Sequence, residues 1–188
     1  MVSADLMHRF LHDAHVFAST VQEIMGEKYL RETAEGEVSL PQFELLRLIE
    51  RNGNHQVRQI ASFMGVSQAA ASKNVDKLVR LGLVARVVQE SDRRAVSLSL
   101  TSRGRNIIRR YEALKAEKLT RVLGGFSDAE VEAISLGLQK VAHRILAEEG
   151  DSHTICMKCS AYYVDHCPLR GVTEGCIYHK CREHASRG

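Results

Sequence analysis

One feature constrains this 188-residue sequence more than any other: the period of its apolar residues changes at Gly82. Before Gly82, apolar residues recur at helical spacing in two short stretches, Gln56 to Met64 and Gln68 to Leu81. Gly65-Val66-Ser67 separates them, with glycine to end one helix and serine to cap the next. Val57, Ile60, Met64, Val66, Ala71, Val75 and Leu78 supply a shared core for the pair. After Gly82 the pattern alternates. Val84 to Val88 forms one β-rich run, and Val96, Leu98 and Leu100 alternate with Ser97, Ser99 and Thr101 in another. The polar stretch Gln89 to Arg94 lies between them as a charged hairpin tip. A helix-turn-helix followed at once by a two-stranded hairpin predicts a winged helix.

Helices flank this segment. Residues 4–26 carry Leu6, Phe10, Phe17, Val21 and Ile24 at helical spacing, and the acidic stretch Arg31 to Val38 is expected as a loop. Ser39-Leu-Pro-Gln42 opens a helix from Leu40 to Glu50, with Phe43, Leu46 and Ile49 on one face. Thr101 caps a helix running to Leu123. Gly124-Gly125 breaks it, and the capping box Ser127-Asp-Ala-Glu130 starts a last helix, Asp128 to Glu148. The fold class expected is mainly α with a small antiparallel β-wing. Four regions follow: 1–38, an N-terminal helix and loop; 39–100, the winged lobe; 101–150, paired C-terminal helices; and 151–188, a tail.

Charge and cysteine sharpen this division. Residues 54–121 carry 14 basic and five acidic side chains, whereas residues 1–53 carry five and nine. A basic middle between acidic flanks suits a polyanion-facing surface. Residues 1–150 contain no cysteine, and all five lie in the tail as Cys156-x2-Cys159-x7-Cys167-x8-Cys176-x4-Cys181. With 44% hydrophobic and 26% charged residues, the chain is neither collagen-like, disordered nor a small disulfide scaffold. Its first ten residues carry Asp5, His8 and Arg9 with no apolar run, so no secretory signal is expected. No membrane partner is expected, and the expected compartment is the cytoplasm, in association with the nucleoid.

Three strings carry a family resemblance. They are QIASFMGVSQAAASKNVDKLVRLGLVAR (59–86), ESDRRAVSLSLTSRG (90–104) and the paired C-terminal helices. The second is the most specific, with Asp92 and Arg94 at the wing tip and then Leu100-Thr101-x-x-Gly104. Over residues 5–148 the sequence resembles the MarR/SlyA family of bacterial winged-helix transcription regulators. The resemblance implies a homodimer held by the terminal helices, with two winged helices on a pseudo-palindromic double-stranded DNA operator. It also implies a small phenolic or lipophilic effector between the dimerisation helices and the winged lobe. The expected function is a sequence-specific regulator, taken as a repressor, and not an enzyme.

On the recognition helix, Ser67, Gln68, Ala69, Ser72, Lys73 and Lys77 lie away from Val75 and Leu78. Gln68 and Ser72 suit hydrogen bonds to base edges, Ala69 a thymine methyl, and Lys73 and Lys77 phosphates. At the wing, Arg94 suits a narrow minor groove, oriented by Asp92 through a charge-assisted hydrogen bond. Arg93 and Arg86 suit phosphates. Arg103, Arg105, Arg109 and Arg110 belong to an outer helix face or pair with acidic neighbours.

A cytosolic chain seldom uses disulfides, so the cysteine cluster points to metal. Zinc fits Cys156 and Cys159 with Cys176 and Cys181, or with His179 or His184 in substitution. A [4Fe–4S] cluster fits Cys156, Cys159, Cys167 and one of Cys176 or Cys181. The tail would stabilise the dimer or sense redox or metal state. The alternatives are a thiol/disulfide redox enzyme using Cys156 and Cys159, or a metal-dependent protein-interaction module. His8, His12 and His15 lie on one helix face, better explained by an interface than by a metal.

Overall fold

The computed structural model describes residues 2–52, 57–89 and 92–149. Its elements in chain order are α1 (Ala4–Thr20), a π-helical segment (Val21–Lys28), α2 (Tyr29–Ala34), α3 (Leu40–Asn52), α4 (Val57–Met64) and α5 (Gln68–Arg80). Strands β1 (Val84–Gln89) and β2 (Asp92–Leu100) follow, then α6 (Ser102–Leu123) and α7 (Asp128–Glu149). Among the described residues the only sheet is the antiparallel β1–β2 pair. The fold class is the one expected, mainly helical with a small two-stranded wing.

The N-terminal helix differs from expectation. It does not stop at residue 26 but runs on through the π-helical segment into α2, so Arg31 to Ala34 are helical rather than loop. The reason lies in burial. Tyr29, Leu30, Thr33 and Ala34 form one buried face packed on α6, while Arg31, Glu32 and Glu35 take the outer side. Gly26 does not break the helix. It is buried where Leu40 approaches to 3.4 Å from the place a Cβ would occupy. The turn comes later, with Glu35 at φ 51° and Gly36 at φ 75°, a left-handed pair that ends α2.

One hydrophobic core joins α2, α3, α4, α5, the wing and α6. It runs in sequence from Tyr29 to Tyr111 and includes Phe43, Leu46, Ile60, Leu78, Leu83 and Leu98. The helix-turn-helix pair meets there through Ile60, Ala71, Val75 and Leu78. Val66, expected in that core, is instead 39% exposed, because it sits in the turn itself after Gly65 at φ 60°. Phe43 and Tyr111 stack in a tilted pair with centroids 4.5 Å apart, fastening α3 to α6. Beside them the buried Arg47 bonds Glu112, which also holds Lys115 at 2.5 Å. The Tyr111 hydroxyl donates to the Met25 carbonyl of the π-helical segment at 2.7 Å.

The terminal helices contrast with this core. No residue of α1 is buried, and Leu6, Met7, Phe10, Leu11 and Phe17 are at least 44% exposed. On α7, Ile134, Leu136, Leu138 and Ile145 are likewise open. A groove of about 590 Å³ at the α6–α7 turn is lined by Leu123, Phe126, Val131, Glu132 and Leu136 among others. Ser127 and Glu130 close the expected capping box: Ser127 N–H donates to the Glu130 carboxylate at 2.8 Å, and Glu130 N–H to Ser127 Oγ at 3.4 Å. Those bonds from Ser127 backbone and hydroxyl hold the Glu130 carboxyl below the usual carboxylate range. No helix among the described residues is long and apolar enough to cross a membrane.

Candidate nucleic-acid interface

The recognition helix α5 begins where the sequence places it. Ser67 is extended at φ −64° and ψ 153°, and its hydroxyl oxygen accepts from Ala70 N–H at 3.2 Å. That bond fixes the hydroxyl as a helix cap and leaves its O–H as the group able to face a ligand. Gln68, Ala69 and Lys73 are exposed, whereas Ser72 and Lys77 are half-buried. Ala71, Val75 and Leu78 face the core, so the outward stripe opposes the packed one.

Polar contacts that the sequence did not announce set the angle of this helix. Gln42 is buried, accepts from Ser39 N–H at 3.1 Å and donates to the Asn74 side chain at 3.3 Å. Asn74 in turn donates to the Ala70 carbonyl at 3.2 Å. Gln42 was legible as a capping residue from its spacing to Ser39. Its bond to Asn74, 32 positions away, had no local signal. Asp76 is the second missed residue. It accepts from Arg86 at 2.5 Å and ties the recognition helix to β1. Arg86, expected to reach a phosphate, is engaged in a partly exposed ion pair between α5 and β1.

The wing is built differently from the expected loop. β1 extends to Gln89 and β2 already begins at Asp92, so Asp92, Arg93 and Arg94 are strand residues. Val88 pairs with Val96, but the next pair is Gln89 with Asp92. Arg93, Arg94 and Ala95 therefore occupy a bulge on β2, which bends a ribbon and re-aims its end. Near the base, Ser97 is buried and its hydroxyl donates to the Val87 carbonyl at 3.2 Å.

The basic residues beyond the wing are partly committed. Arg103 pairs with Glu37 at 2.5 Å and Arg110 with Glu35 at 3.7 Å, as acidic partnering predicts. Arg105 donates to the Leu100 carbonyl at 2.7 Å. The three aligned histidines of α1 are exposed, and His12 lies 3.3 Å from Asp13. Among the described residues no group of three or more histidine, cysteine or acidic side chains could hold a metal ion. The tail candidates Cys156, Cys159, Cys167, Cys176 and Cys181, with His179 and His184, lie outside the described residues.

An exposed, capped helix end stands beside a bulged two-stranded ribbon, and the segment holding both matches a known family model over residues 38–96. That model is the one for the MarR family. A curated relative, the uncharacterized HTH-type transcriptional regulator YfiV of Bacillus subtilis, is 34% identical over 102 residues. The match takes in 54% of this chain and spans just under two thirds, 64%, of YfiV. Among solved structures, Streptococcus pneumoniae FabT in complex with DNA superposes with a TM-score of 0.63 at 22% identity, covering 74% of this chain and 96% of FabT. YusO of Bacillus subtilis gives 0.61 at 26% identity, covering 75% and 98%. The fold is thus shared with MarR-type winged-helix proteins well beyond the matched segment. The matched relative is described as a transcriptional regulator.

Proposed function

We propose that this chain is a sequence-specific, double-stranded DNA-binding transcription regulator of the MarR type, acting as a homodimer and as a repressor. One observation carries the reading. The capped start of α5 offers Ser67, Gln68, Ala69 and Lys73, while Asp76 and Arg86 fasten the same helix to the wing. A helix end of this kind fits a major groove, where Gln68 and Ser72 would bond base edges and Lys73 and Lys77 phosphates. The wing bulge would then carry Arg94 to the adjacent minor groove, with Asp92 beside it and Arg93 on phosphate. FabT, of the same fold, is described in complex with DNA. We place the protein in the cytoplasm on the nucleoid. A small phenolic or lipophilic effector would enter between the terminal helices and the winged lobe.

The test is binding to duplexes selected by the full-length protein from a randomised pool. Arg94→Ala is expected to weaken binding to the selected duplex about tenfold at fixed salt, with the melting temperature unchanged. Unchanged affinity removes the wing from the mechanism.

For the tail, we propose that Cys156, Cys159, Cys167, Cys176 and Cys181 supply the ligands of a zinc ion or a [4Fe–4S] cluster. Thiolate donors this dense in the tail of an otherwise cysteine-free chain support metal over structure by burial. Metal analysis with a visible spectrum, on protein purified without oxygen, separates the two metals. Cys159→Ser is expected to lower bound metal, and an unaltered content shows the tail is not the site.

A further inference from the structure

The Leu100-Thr101-x-x-Gly104 string does more than begin a helix. Three successive carbonyls at the end of the recognition helix, those of Leu81, Gly82 and Leu83, are all received by the first turn of α6. Arg103 donates to the Leu81 carbonyl at 2.6 Å. The Thr101 hydroxyl lies 2.7 Å from the Gly82 carbonyl and 3.2 Å from that of Leu83, while Thr101 N–H donates to Leu83 at 3.1 Å. Gly104 allows the approach, because a Cβ there would stand 2.3 Å from the Leu83 oxygen. The carbonyl end of a helix is its negative pole, so a guanidinium there is electrostatically favoured. Arg103 has a second hold. Its other nitrogen meets Glu37 at 2.5 Å, in the turn that joins α2 to α3. One side chain thus bridges the end of the recognition helix, the start of α6 and the connection from the N-terminal helices.

We propose that Arg103 is a positioning residue for sequence reading: through the Leu81 carbonyl and Glu37 it fixes the recognition helix in register with the helices that frame it. Its effect falls on discrimination between sequences. Base contacts need a helix held in one pose, whereas phosphate contacts tolerate displacement. This role rests on the DNA-binding reading above.

The experiment compares the full-length protein with its Arg103→Ala, Arg103→Lys, Glu37→Ala and Arg103→Ala/Glu37→Ala variants. The probes are a duplex selected by the unmodified protein from a randomised pool and a scrambled duplex of the same composition. Arg103→Ala is expected to lower the ratio of selected to scrambled affinity about tenfold. Its salt dependence on the scrambled duplex should stay that of the unmodified protein. Arg103→Lys, which keeps the charge but not the fork, should recover only part of the ratio. The double variant should lose no more than Arg103→Ala alone, since both residues act through one bridge.

Three results overturn the role. A preserved ratio with only a lower melting temperature makes Arg103 merely structural. A salt slope reduced by about one makes it a direct phosphate contact. Strictly additive losses at Arg103 and Glu37 dissolve the bridge. If the unmodified protein enriches no duplex at all, it is the DNA-binding reading that fails, and this role fails with it.

Discussion

Gly104 shows how much one missing methyl can decide. The Leu83 carbonyl occupies the space a side chain would need, and that carbonyl is the meeting point of α5, β1 and α6. Gly104→Ala must push backbone away from backbone. The expected cost is about 1–3 kcal/mol, read as a lower urea midpoint with an unchanged slope. An unchanged midpoint would mean the helix start can slide without loss. The glycine was visible in the sequence as part of a string, but its reason was not. Close approach depends on Leu83, 21 positions earlier, and no local period encodes that. The same holds for Asp76 and Arg86, and for Gln42 and Asn74. Each residue type is ordinary, and only the fold brings the partners together.

At the scale of elements, the recognition helix was legible at both ends because its signals are local. Ser67 caps it, and Gly65 and Gly82 both take positive φ, at 60° and 68°. The N-terminal helix was legible only up to Gly26, because what carries it onward is burial of Tyr29 and Leu30 against α6. The wing was legible as two strands, yet its tip was not, since a bulge is set by cross-strand register rather than by composition. The π-helical segment had no signature at all. Its backbone widens to five-residue bonds, with Tyr29 N–H donating to Ile24, and its Met25 carbonyl accepts from Tyr111. Tyr111 is 2% exposed, so its hydroxyl has been taken out of water for this bond. Tyr111→Phe is expected to cost about 1 kcal/mol in global stability. Hydrogen exchange should quicken most in residues 21–30. Uniform loss across the chain would instead mark Tyr111 as a core residue whose hydroxyl does not hold the segment.

For the whole molecule, the distribution of apolar surface is the outstanding fact. The described core is confined to the stretch from Tyr29 to Tyr111, while α1 and α7 expose leucine, isoleucine and phenylalanine on both sides of it. Monomeric proteins rarely leave large apolar patches open. Apolar burial is worth roughly 25 cal/mol per Å², so two long helices left bare forgo substantial stabilisation. A second copy offers the same faces, and a two-fold arrangement lets α1 of one protomer and α7 of its partner cover each other reciprocally. Such a dimer would also set two recognition helices at a fixed separation, as paired half-sites require. The expected result of sedimentation equilibrium is a species of twice the chain mass. Placing charge in the middle of each face, with Phe10→Glu and Ile134→Glu together, should shift that species to the monomer. The winged lobe should stay folded, because neither residue belongs to its core. The monomeric variant should also lose cooperative binding to the selected duplex while keeping weak, salt-sensitive binding to any DNA. A variant that stays dimeric would show that α1 and α7 are not the faces that join, and would move the interface elsewhere on the molecule.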